Sequence, residues 1–185
     1  VRAGSKAEMA LPDGTFVHLN AATNLEYDVN NSKQRLVKLS GEAFFDVAKN
    51  PDCPFKVIIN DLQIEVVGTS FNVKTYKKDI VETSLLSGRI RISGGSLPHE
   101  YTLSPGQKAT YSAMDRTLRI SKADAHVEAG WRDNYLIFES TPLIDVIAQI
   151  ERWYGVEIRL HHKQIAQDLL SGSFRNESIQ NVIRS

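Results

Sequence analysis

Residues 41–73 read GEAFFDVAKNPDCPFKVIINDLQIEVVGTSFNV, and this stretch decides the fold class. Phe44, Phe45, Val47, Phe55, Val57, Ile58, Ile59, Ile64, Val66, Val67, Phe71 and Val73 all fall within it, in short runs cut by Gly, Pro, Asn and Asp. β-Branched and aromatic side chains fit a pleated, half-buried surface, and the breakers between them supply tight turns, so the runs are strands. Their apolar residues recur two apart or in blocks, not at three and four, and no amphipathic helix competes for the segment. The stretch reads as a sheet core, with nothing in it that resembles a reaction centre.

Working toward the amino terminus, Pro12-Asp13-Gly14 is a turn: fixed φ, a side-chain acceptor and a permissive backbone in succession. Phe16, His18 and Asn20 then lie on one face of a strand, with Val17 and Leu19 on the other. Asn30 to Lys33 reads as a polar turn, and RLVKLS leads into Gly41 as a further strand. A degenerate repeat runs through the glycines, because Gly14, Gly41, Gly68, Gly88 and Gly106 each end a turn and begin a strand (GTFVHLN, GEAFFDV, GTSFNVK, GRIRIS, GQKATYS). Turn-then-strand units stacked along one axis make a β-roll or short β-solenoid. A β-sandwich carries similar glycines, so both architectures remain open. The loop at Gly94, Gly95, Ser96 and Pro98 is poor in apolar residues and reads as an exposed hairpin tip.

Toward the carboxyl terminus the character changes near Asp124. The mainly β domain spans residues 1–123, residues 124–130 (DAHVEAG) read as a linker, and residues 131–185 form a small α/β module. In the module YLIFES is a strand, Thr141 caps a helix with Pro142 at its first position, and Gly155 ends it. Leu143, Ile147, Ile150 and Tyr154 form the helix's apolar stripe, widened by Ile144 and Val146. VEIRL, residues 156–160, alternates as a strand, which gives strand-helix-strand. LLSGSFR is a further strand, Ser178 caps a terminal helix, and the module reads as incomplete after Ser185.

Composition narrows the function classes. The 185 residues are 42% hydrophobic and 24% charged, enough for one large or two small globular cores. Twenty-two basic and 22 acidic residues leave no net charge, which argues against a nucleic-acid partner. Cys53 is the single cysteine, so no internal disulfide can form. No apolar run approaches the roughly eighteen residues of a membrane span. The chain starts at Val1 without a signal peptide, as a piece of a longer protein also would.

Several ordered motifs carry a resemblance. LPDGTFVHLNAATNLEY, LSGEAFFDVAKNPDCPFKV, VVGTSFNVKTY, SGRIRI and LSPGQKA resemble, in order and spacing, the FecR family of membrane-bound anti-sigma regulators. The tail WRDNYLIFESTPLIDVIAQIERWYGVEI resembles the C-terminal module of Bacteroidetes-type members, itself similar to the short signalling domain of secretins and TonB-dependent transporters. The resemblance implies a periplasmic segment whose inner-membrane anchor and cytoplasmic anti-sigma region lie upstream of Val1. It also implies two partners: the N-terminal signalling domain of a TonB-dependent outer-membrane transporter, and an extracytoplasmic-function sigma factor reached through the cytoplasmic region.

Candidate chemistry is sparse. His161 and His162, four and five residues after Glu157, are adjacent and point apart on a strand or a helix, so they read as a solvated pair and not as metal ligands. Asp13 reads as turn chemistry, and Glu42 and Asp46 as strand residues rather than paired catalytic carboxylates. No G-x-S-x-G elbow places a nucleophile, and Cys53 has no evident histidine partner. Lys74, Lys77 and Lys78 are too few to mark a nucleic-acid surface. Catalytic residues, cofactor and metal are therefore all expected to be absent. The aromatic group Trp131, Tyr135, Phe138, Trp153 and Tyr154 is mostly core. Trp153 and Tyr154 lie about 100° apart on their helix, so one of them faces outward. Arg152, Trp153, Tyr154, Glu157 and Arg159 are the candidate partner-binding residues, with strand addition at the VEIRL edge as the docking mode. A carbohydrate-binding β-domain, stacking exposed aromatic rings on sugars, is the alternative function.

Overall fold

The computed structural model describes residues 1–27 and 34–184. The expected Asn30–Lys33 turn lies outside the described residues. In chain order the strands begin β1 (Ala7–Ala10), β2 (Phe16–Leu19), β3 (Asn24–Tyr27), β4 (Arg35–Ser40) and β5 (Glu42–Asp46). Next come β6 (Phe55–Ile59), β7 (Leu62–Val66), β8 (Ser70–Lys74), β9 (Ile80–Ser87) and β10 (Ile90–Gly94). The run ends with β11 (Tyr101–Leu103), β12 (Gln107–Ser112) and β13 (Thr117–Lys122). They form two sheets, one ordered β1-β2-β5-β8-β9-β12-β13 and the other β11-β10-β7-β6-β4-β3. Pairing is antiparallel except for β4 with β6.

The core lies between the sheets. Val17, Ala43, Phe45, Phe71, Val73 and Leu85 from the first meet Val37, Phe55, Val57, Ile64, Ile90 and Ile92 from the second in one buried cluster. β6 and β7 alternate buried and half-buried residues without interruption, as strands of a sheet with one face on a core must. Phe45 stacks on Phe71 at 5.2 Å and tilts against Phe55 at 5.8 Å, which ties the two sheets together.

The two architectures left open by the sequence describe one object. The sheets stack as a sandwich, and the chain winds between them like a roll, leaving one sheet for the other after every one or two strands. Gly41, Gly68, Gly88 and Gly106 stand at four of those crossings, whereas Gly14 serves the β1–β2 hairpin. The reason for glycine differs between positions. At Gly41, φ is +114° and a Cβ would lie 2.5 Å from Thr23 Oγ1. Gly68 has no positive φ, but a Cβ there would come within 2.9 Å of Lys49 Cα.

Residues 124–130, expected to be a linker, are ordered structure. Asp124 caps α1 (Ala125–Ala129) by accepting from the His126 amide at 2.8 Å, and Gly130–Asp133 follow as a 3₁₀ turn. Ala129 and Trp131 are 1% and 6% exposed, seated with Phe44 on the outer face of the seven-stranded sheet. A five-residue helix has too few turns to display a period, which hid it among small polar residues.

The C-terminal module follows: β14 (Tyr135–Pro142), α2 (Leu143–Tyr154), a 3₁₀ turn at Lys163–Gln167, β15 (Leu169–Arg175) and α3 (Ile179–Arg184). Leu136, Phe138, Val146, Ile150 and Val182 are its core. Gly155, at φ +67°, ends α2 and returns its N–H to the Glu151 carbonyl, and Ser178 caps α3, both as expected. Three expectations are corrected. VEIRL is not a strand: Ile158 turns into the module, its N–H bonds Glu151 Oε1 at 2.8 Å, and LLSGSFR is the strand that pairs β14. Pro142 itself occupies the cap position of α2, Thr141 staying in β14, and the first helical amide donates to the Asp168 carbonyl. Ile144 is 45% exposed and lies off the apolar stripe.

Candidate functional site

Strand register builds the site. On the outer face of the seven-stranded sheet His18, Phe44, Asn72, Ser84 and Lys108 stand side by side on five neighbouring strands. Glu42, Lys74, Glu82 and Thr110 make the adjacent row. Because side chains alternate across the pleat, these polar residues are the partners in sequence of the inward Ala43, Phe45, Phe71, Val73 and Leu85. The C-terminal module lies over this face, and a cleft of about 530 Å³ opens between them, lined in part by Glu42, Lys74, Glu82, Lys108, Trp131 and Arg152.

Glu42 is the centre of the polar network. Asn20 Nδ2 donates to Oε2 at 2.7 Å and Asn72 Nδ2 to Oε1 at 3.0 Å. Asn72 is oriented in turn by Trp131, whose indole N–H donates to Oδ1 at 3.1 Å. Burial pushes the Glu42 carboxyl above the ordinary carboxylate range, against the pull of Lys74, the two amides and Arg152. On the next row Lys108 sits between Glu82 at 2.8 Å and Glu128 of α1 at 2.9 Å. Burial alone would raise Glu82 and lower Lys108, but the opposite charges outweigh it, so Glu82 titrates low and Lys108 high. Arg152 stacks on the Tyr76 ring at 4.1 Å, and the Tyr76 hydroxyl donates to the Ala21 carbonyl. Burial, reinforced by Glu42, pushes that phenol up. Lys77 reaches Asp145 of α2 at 2.6 Å.

The expected site residues separate into two groups. Arg152, Trp153 and Tyr154 are half-buried and used internally: Trp153 packs against both the module core and the Phe44–Trp131 cluster, and Tyr154 donates to the Glu177 carbonyl at 2.8 Å. Glu157 and Arg159 are exposed and pair with each other at 3.1 Å. Trp131, Tyr135, Phe138, Trp153 and Tyr154 are all buried or half-buried, so they present no open aromatic platform for a sugar ring. His161 and His162 are exposed. Asp13, Glu42 and Asp46 are not paired with one another: they go to Arg35, to Asn20 and Asn72, and to Ser70 respectively. Lys74 and Lys77 likewise turn to Glu82 and Asp145. Among the described residues no group of three or more His, Cys, Asp or Glu is placed to hold a metal ion.

Asn20, Asn72, Glu82 and Lys108 belong to this network and carried no signal in the sequence. A polar residue at every second strand position is ordinarily solvated, whereas here the overlying helix and module cover Asn72 and half-bury Glu82 and Lys108. The arrangement is that of an internal interface between the seven-stranded sheet and the small C-terminal module.

Residues 1–91 match the family model described as FecR protein, and residues 135–185 match the one described as FecR, C-terminal. The chain belongs to the FecR family. Two solved structures of a protein from Parabacteroides distasonis ATCC 8503, assigned as an anti-sigma factor, superpose on this FecR-family chain over its whole length. At 1.65 Å resolution the TM-score is 0.90 with 32% identity, covering 87% of that chain. At 2.50 Å resolution it is 0.89 with 32% identity, covering 86%. A search of curated proteins gives no match. Both FecR-family segments contribute to the cleft, Glu42 and Lys74 from the first and Asp145 and Arg152 from the second.

Proposed function

We propose that the chain is the periplasmic sensor segment of a transmembrane anti-sigma regulator. In this reading the C-terminal module receives a signal from the N-terminal signalling domain of a TonB-dependent outer-membrane transporter. An inner-membrane anchor and a cytoplasmic region upstream of Val1 then control an extracytoplasmic-function sigma factor. The observation that carries the reading is the full-length likeness, at 32% identity, to a protein assigned as an anti-sigma factor.

Residues 1–123 act as a rigid spacer and residues 131–185 as the recognition unit. A strand-addition contact needs an unpaired edge, which residues 156–160 do not offer. β15 offers one: it borders a two-stranded sheet and is exposed along most of its length, with Leu169 63% and Leu170 42% exposed at its start. A strand added there bonds through the main chain, and the two leucines supply side-chain contact. Transporter occupancy biases docked against free module. Calorimetric titration of the whole chain with a purified transporter signalling domain from the same organism tests this. Binding is expected, weakened about tenfold or more by Leu170→Asp, the loss of one well-buried apolar anchor. No heat with the wild-type chain overturns the docking reading.

A further inference from the structure

The five residues before β1 touch both the sandwich and the C-terminal module. The Ala22 amide and the Ser5 amide both donate to the Arg2 carbonyl, at 3.2 and 3.3 Å, which fixes a tight bend against the sandwich. Inside the bend Gly4, at φ +73°, donates its N–H to the carbonyl of Arg152 in the last turn of α2 at 2.8 Å. The contact is backbone to backbone: a Cβ on Gly4 would lie 3.2 Å from the Tyr154 carbonyl oxygen and 3.3 Å from Gly155 Cα. A Cβ on Gly155 would meet the Ala3 carbonyl oxygen and Gly4 Cα, each at 3.3 Å. Lys6 completes the attachment. Its ammonium donates to the Trp131 carbonyl at 2.6 Å and to Asn134 Oδ1 at 3.0 Å, and it lies 3.6 Å from the centroid of the Trp153 ring.

We infer that Arg2–Lys6 is a strap that couples the seating of the C-terminal module to the amino-terminal end of the chain. Two glycines of left-handed conformation let the strap and the end of α2 approach closely, and one lysine joins the strap to Trp131 and Trp153 together. When the module lifts away, Gly4 loses its acceptor and Lys6 loses the indole face, so the strap is released. A strap pulled from its amino-terminal side unseats the module by the same contacts, since coupling between two sites is reciprocal. The direction of signalling rests on the regulator reading above, but the coupling itself does not. Partner docking at the module and output upstream of the strap become the two ends of one mechanical link.

Hydrogen exchange on the whole chain, followed by mass spectrometry, measures the coupling without any partner. Lys6→Ala is expected to speed exchange in residues 150–155 about tenfold, the scale of losing a cation–π contact and charged hydrogen bonds together. Trp153→Leu, which keeps an apolar side chain in the module, is expected to speed exchange in residues 2–6 by a similar factor. β6 and β8 keep wild-type protection in both variants and report that the sandwich is folded. Should either substitution loosen only its own end, the strap does not couple the two. Lys6→Met, which retains the stem but not the charge, keeps the test open if Lys6→Ala disturbs β1. Coupling in the absence of transporter binding would leave the strap standing and remove only the docking reading.

Discussion

The two faces of the seven-stranded sheet are made by the same strands and are both covered at its centre, yet they are held by different forces. The inner face presents Phe45, Phe71, Val73 and Leu85 to the other sheet and is predominantly apolar. On the outer face Glu42, Asn72 and Lys108 lie beneath α1, Trp131 and the C-terminal module, and hydrogen bonds and ion pairs hold them. Burying apolar area is non-directional and needs only shape, so the inner face fixes that the sheets stack. A buried polar group is costly without its partner, so the outer face fixes where the overlying unit must sit. Permanence on one side and addressable contact on the other are what the proposed spacer with a seated recognition unit would require.

The largest effect should come from the inner face. Phe45→Ala removes a fully buried ring that touches Phe55 and Phe71, and the expected loss is about 3–5 kcal/mol in chemical denaturation. A loss below about 1 kcal/mol would mean that the sheets do not share one core. Asn72→Ala on the outer face ranks second. It leaves the Trp131 indole N–H without its acceptor and removes one donor from Glu42, with an expected cost of about 2–3 kcal/mol. Indole emission should shift to the red as Trp131 meets water. An unshifted spectrum together with an unchanged midpoint would show that the outer network does not seat the module.

How much of this was legible follows from the same contrast. The apolar core could be read directly: LQIEV of the facing six-stranded sheet alternates with period two, and FKVII and GEAFFDV are short apolar blocks cut by turn residues. The glycines announced turns correctly, but nothing local says which sheet the chain enters next. The outer face was opaque: Glu42, Asn72 and Ser84 sit where a half-exposed strand carries ordinary polar residues, and their cover comes from far away in sequence. Trp131 bonds Asn72 across 59 positions. VEIRL misled for a related reason. Alternation records which side chains face a core, and a coil lying on the module with Ile158 inward satisfies it as well as a paired strand does.

Glu42 sharpens the comparison with the smallest effect, one read through its sign. Burial holds the folded carboxyl above its ordinary value, so between that value and the raised one the folded state binds more protons than the unfolded state. Stability therefore falls as pH rises through this window, and the contribution is favourable only on the acid side of it. Glu42→Gln removes the titration. The amide offers one acceptor where the carboxylate offered two, so Asn20 or Asn72 loses a bond at every pH, and the variant is offset by a constant amount. The pH dependence of the difference isolates the carboxyl: wild-type stability minus variant stability, from denaturation midpoints, should decline as pH increases from the carboxylate range. A difference that grows with pH would mean that Lys74 and the two amides outweigh burial. The outer face would then be an electrostatic site already complete in the sandwich, not one finished by the module that covers it.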